Sequence, residues 1–297
     1  MKYVPFILAL ALAATPAPSA KPPPPTGTTT PDIGYVRISG GARRFYELRL
    51  ANEDGTGATT IYSSRDIGQM FPHMGPRADR TIALVQGGRV SLVRYDVTST
   101  GPIFVSIEPL FTIRESSGGQ AMDFSPNGKD IVWFDATAGA LKIFNLDTRS
   151  STPLLSLARE PNSFVFNRDG SAVLFLEYVT DTDAILKSVA LAGGAPVDLG
   201  LRGNFWGLEA AHSSDGFIVN RGLDIRATYL DYYANAGSGP VTLAQGYLPS
   251  FKCDDSVVIY QKVNTDGSVS LLRVNPTTLA GNTTSTKDNY RPDYVGC

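Results

Sequence analysis

The sequence predicts an all-β fold: a single six-bladed β-propeller whose C-terminal strand completes the N-terminal blade. Three observations point there. From Asp32 onward no long 3.6-residue apolar period appears, and short β-branched and aromatic runs (residues 131–134, 173–176 and 257–260) alternate with turn residues. A strand ending in a polar turn recurs from Glu47, Ser91, Leu141, Leu186, Thr228 and Leu271, at intervals of about 40–50 residues, the period of a propeller blade. A second kind of strand also recurs six times, around Pro72, Met122, Ser163, Leu208, Pro249 and Pro292, the first five each leading a later copy. The phase of the two series matters. Residues 33–63 have no leading strand before them, and the last leading strand, residues 291–297, has nothing after it. Pairing the two ends closes a ring, removes two open sheet edges and covers both faces of every blade.

Each segment has its own justification. Residues 1–20 carry Lys2, an apolar run over 4–14 and small residues with prolines at the end, the layout of a secretory signal peptide cut after Ser19 or Ala20. The apolar run is about half the ~20 residues that span a bilayer, so no transmembrane segment is expected after cleavage. The expected location is periplasmic or secreted. Residues 21–31, KPPPPTGTTTP, read as a linker, stiff at its prolines and flexible beyond. Residues 32–297 are the propeller. Within them Asn127-Gly128, Asp169-Gly170, Asp215-Gly216 and Asp266-Gly267 predict tight turns with a left-handed residue. With 26 Lys+Arg against 28 Asp+Glu, the net charge of -2 draws the chain to no nucleic acid.

Residues 122–134, Met-Asp-Phe-Ser-Pro-Asn-Gly-Lys-Asp-Ile-Val-Trp-Phe, followed by Leu-Lys-Ile-Phe-Asn-Leu-Asp at 141–147, resemble the WD-like repeat of TolB-type propellers. Residues 163–175 and 248–260 are looser copies; 72–85 and 208–219 are degenerate. The resemblance covers 32–297 and lacks the α/β domain that precedes the propeller in TolB itself. It implies a periplasmic propeller that binds a protein at its face. For fold the motif is specific; for function it is weak, because propellers host many tasks.

The residues offer little chemistry. No Gly-x-Ser-x-Gly elbow and no His-Glu-x-x-His pair occurs, and the two histidines, His73 and His212, lie far apart along the chain. Acidic turns at 52–55, 181–183 and 264–267 lack the oxygen count of a Ca²⁺ loop. No enzyme, metal or cofactor is therefore expected. The expected working surface is the channel mouth where the leading strands start, with His73, Asp123, Arg291 and Asp293 as candidates. Trp206 and Tyr247, placed in connecting loops, join them as anchors of recognition; their alternative role is to fill space between blades. For His73 a structural or solvated role is the favoured reading over a channel-facing one, and His212 reads as a turn-packing residue.

Cys253 and Cys297 fall at near-equivalent places on neighbouring leading strands. In an exported protein they are expected to pair, locking the closure with about 3–4 kcal/mol. Free thiols, or a bond from Cys297 to another chain, are the alternatives. The expected function is a monomeric, non-catalytic scaffold for a protein, peptide or glycan of the cell envelope. Its rivals are a channel hydrolase or lyase, which paired carboxylates would mark, and an accessory subunit of an envelope membrane complex.

Overall fold

The protein is described by a computed structural model covering residues 30–39, 45–65, 70–75, 79–114, 122–222, 224–286 and 289–294. The expected signal peptide, most of the linker and Cys297 lie outside these residues. The described residues form six four-stranded antiparallel sheets and no helix.

Blade 1 is made by β24 (Asn289–Tyr294), β1 (Ile33–Ser39), β2 (Phe45–Ala51) and β3 (Thr59–Ser64), in that order from the axis outward. Blade 2 runs β4 (Met70–Met74), β5 (Thr81–Gln86), β6 (Arg89–Thr98), β7 (Gly101–Thr112). Blade 3 is β8 (Met122–Phe124), β9 (Asp130–Asp135), β10 (Ala140–Asn145), β11 (Ser150–Ser156). Blade 4 is β12 (Phe164–Phe166), β13 (Ala172–Thr180), β14 (Asp183–Ala190), β15 (Val197–Gly203). Blade 5 is β16 (Phe205–Ala210), β17 (Phe217–Arg221), β18 (Tyr229–Tyr233), β19 (Val241–Gln245). Blade 6 is β20 (Tyr247–Phe251), β21 (Val258–Val263), β22 (Val269–Val274), β23 (Gly281–Thr286). The innermost strands touch in unbroken succession, β4 to β8, β12, β16, β20, β24 and back to β4, so the sheets circle an axis.

Six apolar clusters fill the six gaps between blades. Ile131 and Trp133 pack with Leu92 of blade 2, whereas Val132 and Phe134, one residue on, pack with Phe164 and Phe175 of blade 4. Phe217 and Val219 likewise face blade 4, and Ile218 faces Phe251 of blade 6. This is why the middle strands read as continuous apolar runs: the side-chain period of two supplies a neighbour on each side.

Closure follows the expected scheme. Ile33 pairs with Tyr294 and Gly34 with Asp293, and the register slips between Gly34 and Val36. Gly34 is needed for close approach: a Cβ there would stand 2.6 Å from Met74 Sδ of blade 2. Gly128, Gly170 and Gly267 adopt φ of 68°, 69° and 82°, as their turns require. Asp215-Gly216 differs. Gly216 is not left-handed; a Cβ on it would meet the Tyr232 ring at 2.8 Å, so packing rather than turn geometry selects glycine there.

Candidate functional site

Equivalent positions on the six inner strands hold His73, Asp123, Val165, Glu209, Ser250 and Asp293, and these line the axial channel. Carboxylates therefore stand on alternate blades, 1, 3 and 5. Asp123, Val165, Glu209 and Asp293 border both of the channel's chambers, so they form its waist. Toward the start of the inner strands lies a narrow chamber of about 60 Å³, walled also by Phe71, His73, Leu248 and Arg291. Toward their ends lies a wider one of about 300 Å³, walled by Ser125, Asn167, Arg168 and His212 among others. The roomier opening is thus the one opposite the mouth that the sequence pointed to.

Each carboxylate joins its blade to the next. Asp123 Oδ2 accepts Phe166 N–H at 2.8 Å, and Asp293 Oδ2 accepts Met74 N–H at 2.8 Å. Glu209 accepts the backbone N–H of Phe251. Asp293 Oδ1 also takes the Ser250 hydroxyl at 2.7 Å, whose oxygen in turn accepts Tyr294 N–H at 3.0 Å. Ser163 plays the same part between blades 4 and 5, accepting Leu208 N–H at 2.9 Å. At the wide rim, the Asp255 carboxylate accepts His212 N–H, Ser213 N–H and the Ser213 and Ser214 hydroxyls.

Burial sets the electrostatics. It pushes Asp123 up to about 7, helped by the charge of Asp293 and opposed by the Phe166 N–H. Asp293 is pushed up to about 6, with the Met74 N–H and Ser250 hydroxyl pulling the other way. Glu209 rises well above the usual carboxylate range through burial and the charges of Asp293 and Asp123. His73 is pushed down to about 3 by burial and then by Arg291, so it stays neutral. Burial lowers Arg291 to about 9, and its guanidinium lies 3.1 Å from the centre of the Phe71 ring. Burial also lowers His212, against the charge of Asp255 and a hydrogen bond to Phe251.

Arg291 and Leu248 occupy matching places in β24 and β20. Both are left-handed (φ 57° and 49°), both precede proline, and both lie where the ladder slips register. A non-glycine residue in that region is strained by about 1–3 kcal/mol, and the bulge re-aims side chains toward the axis.

The structure brings His73, Asp123, Arg291 and Asp293 together along the channel. Trp206 and Tyr247 are in strands β16 and β20, not in connecting loops, because these strands begin before their leading Leu208 and Pro249. Their rings face each other across the blade 5–blade 6 gap at 6.2 Å. Glu209 and Ser250 were absent from the sequence candidates; the register shared with Asp123 and Asp293 was the signal for them. Cys253 lies two residues past β20, in the turn at the wide end, and is not a free thiol. Among the described residues no group of three His, Cys, Asp or Glu side chains can hold one metal ion, and no helix is long and apolar enough to cross a membrane.

No protein-family model and no curated protein matches the sequence. Solved structures do match. TolB from Acinetobacter baumannii is 18% identical, with a TM-score of 0.70 over 91% of this chain and 67% of that one. A putative TolB from Agrobacterium tumefaciens is 11% identical, with a TM-score of 0.60 over 90% and 99%. A chain of a nidogen/laminin complex is 13% identical, with a TM-score of 0.59 over 90% and 99%. At these identities the likeness speaks for fold alone: the chain has the six-bladed β-propeller fold of the TolB-type structures.

Proposed function

We propose that the chain is an exported, non-catalytic, monomeric scaffold that binds a protein, peptide or glycan of the cell envelope at the ends of its channel. One observation carries this reading. The polar groups on the channel wall hold the blades together, each carboxylate engaging the next blade's backbone, so the axis is a rigid, preformed receptor. The shared fold with the TolB structures and with a chain of a nidogen/laminin complex supports it. The three inward carboxylates favour one rival, a channel hydrolase. The narrow chamber, of about 60 Å³, weighs against it.

A photo-crosslinking residue at Arg168 or Leu248, at the two rims, is expected to capture a specific macromolecule from native envelope. The same residue at Thr152, on the outer edge of blade 3, is expected to capture none. Turnover of a small substrate, with no rim-specific adduct, overturns the scaffold.

Pairing of Cys253 with Cys297, the chain's other cysteine, belongs to the same proposal: it would tie the end of β24 to blade 6. Reduction is then expected to raise the intact mass by about two daltons, and an unchanged mass removes the bridge.

A further inference from the structure

We propose that the channel waist is a receptor for a guanidinium group, carried on an extended segment of the partner and entering from the wider chamber. The inference rests on the scaffold reading and names what the channel recognises. Three carboxylates on alternate blades face one another across the axis at equivalent register: Asp123 on β8, Glu209 on β16 and Asp293 on β24. Glu209 gives one acceptor site to a backbone N–H (Phe251), Asp123 gives two (Phe166 and Phe124), and Asp293 gives two (Met74 and Tyr294) and one more to Ser250, whereas a carboxylate has about four lone-pair sites. Among the described residues no ion pair joins any of the three to a cation.

A second observation is independent of the acids. In the narrow chamber beyond the waist, the side chain of His73 is surrounded by protein, and its Nε2 has no hydrogen-bond partner. A buried neutral imidazole left in that state costs stability, which a donor reaching past the waist would relieve.

Shape and charge select the ligand. Among the described residues no three His, Cys, Asp or Glu side chains can hold one metal ion, whereas a planar guanidinium spreads five N–H donors over a fixed fork. Direction follows from room: the narrow chamber holds about 60 Å³ and the wide one about 300 Å³. The wide chamber has room for the stem of a side chain. Its mouth carries Arg168 and His212, with Asp255 bound to the latter's backbone. Val165 completes the waist without charge.

Binding is coupled to protons. Burial raises all three acids, Asp123 to about 7 and Asp293 to about 6, with Glu209 shifted in the same direction. A bound cation favours the ionised forms, so protons leave as it enters and affinity rises with pH.

The test titrates the mature chain with the acetylated, amidated pentapeptide Gly-Gly-Arg-Gly-Gly and with its neutral citrulline counterpart. At about pH 8 the arginine peptide is expected to bind about tenfold or more tighter than the citrulline one. It is also expected to release protons, seen as a buffer-dependent heat, and to weaken at about pH 5. The neutral isosteres Asp123→Asn and Glu209→Gln, combined, keep the backbone hydrogen bonds and are expected to abolish the preference. Equal binding of the two peptides, no binding of either, or an arginine preference that survives the double variant overturns the inference. A lysine peptide bound as tightly as the arginine one overturns the planar fork. If the rim crosslinks persist unchanged in the double variant, the guanidinium site falls while the scaffold stands; if no rim crosslink forms with the wild type, the scaffold falls by itself.

Discussion

A chain lacking residues 289–297 is expected to lose its cooperative thermal transition. These residues include all of β24, the axial strand of blade 1, which pairs with β1. Without it blade 1 has three strands, and β1 presents a free edge toward the axis. The loss reaches both neighbours. Asp293 bonds to Met74 of blade 2 and Ser250 of blade 6, and Tyr294, 4% exposed, packs with Ile33, Ile259 and Leu271 at the blade 6–blade 1 gap. Two milder variants grade the effect. Tyr294→Ala is expected to cost about 3–5 kcal/mol, as removal of a buried aromatic does. Cys297→Ser, which removes a bridge but no strand, is expected to cost less than the truncation. Thermal unfolding followed by near-ultraviolet circular dichroism measures all three. A truncated chain that melts cooperatively at the wild-type midpoint would show that the ring does not depend on its closure.

The second large effect is a gain of stability over the wild type, present at high pH and lost at low pH, in the paired isosteres Asp123→Asn and Glu209→Gln. An acid whose folded pKa lies above its unfolded value binds more protons folded than unfolded. Its contribution to stability is therefore lost as pH rises, here from about 4 to about 7 for Asp123. Glu209 acts in the same direction. His73 and His212 act oppositely: both are lowered from 6.5, so they cost stability as pH falls below that value. Comparing variant with wild type cancels the histidines. At about pH 8 the double variant is expected to be the more stable by on the order of 3 kcal/mol, since its amides hold the same backbone donors without a buried charge. By about pH 4 the acids are neutral and the advantage is expected to vanish. A constant difference from pH 4 to pH 8 would mean that the channel acids titrate normally.

The surface carboxylates do not confuse that window. Asp135 is held below its usual range by Lys142 and backbone N–H groups, Asp183 by Arg202, and Asp54, Asp169 and Asp254 by neighbouring hydroxyls. All of them stay ionised until the pH falls below the usual carboxylate range, where their stabilisation is lost.

Much of the fold was legible because it is local and repeated. The Ser125-Pro-Asn-Gly-Lys-Asp130 turn closes through Ser125 N–H to Asp130 O at 2.8 Å and Asn127 Oδ1 to Lys129 N–H at 3.0 Å. Asn167-Arg-Asp-Gly repeats it, with Asp169 Oδ1 accepting Ser171 N–H at 2.9 Å. Such turns need only their own residues. The channel was half legible. Asp123 and Asp293 each precede an aromatic, Phe124 or Tyr294, which marks their place on the inner strand. Glu209 precedes Ala210 in a degenerate copy, so only its register with Asp123 across the repeat, and no aromatic beside it, marks it as an inner-strand residue. Trp206 and Tyr247 could be recognised as anchors by type but not by position, because where a strand begins depends on the partner it pairs with.

Period, phase and turn chemistry in the sequence alone determined an all-β ring of six blades, the pairing of its two ends and which strand of each blade lies innermost. These are consequences of near-neighbour pairing, which a side-chain period of two and a repeat of about 40–50 residues encode directly. Only the tertiary structure decided that acids alternate around the waist, that the wider chamber lies at the far ends of the inner strands, and that burial raises three carboxylates together. Desolvation and mutual repulsion act across the axis, between residues dozens to well over a hundred positions apart, and no local pattern in the chain carries that distance.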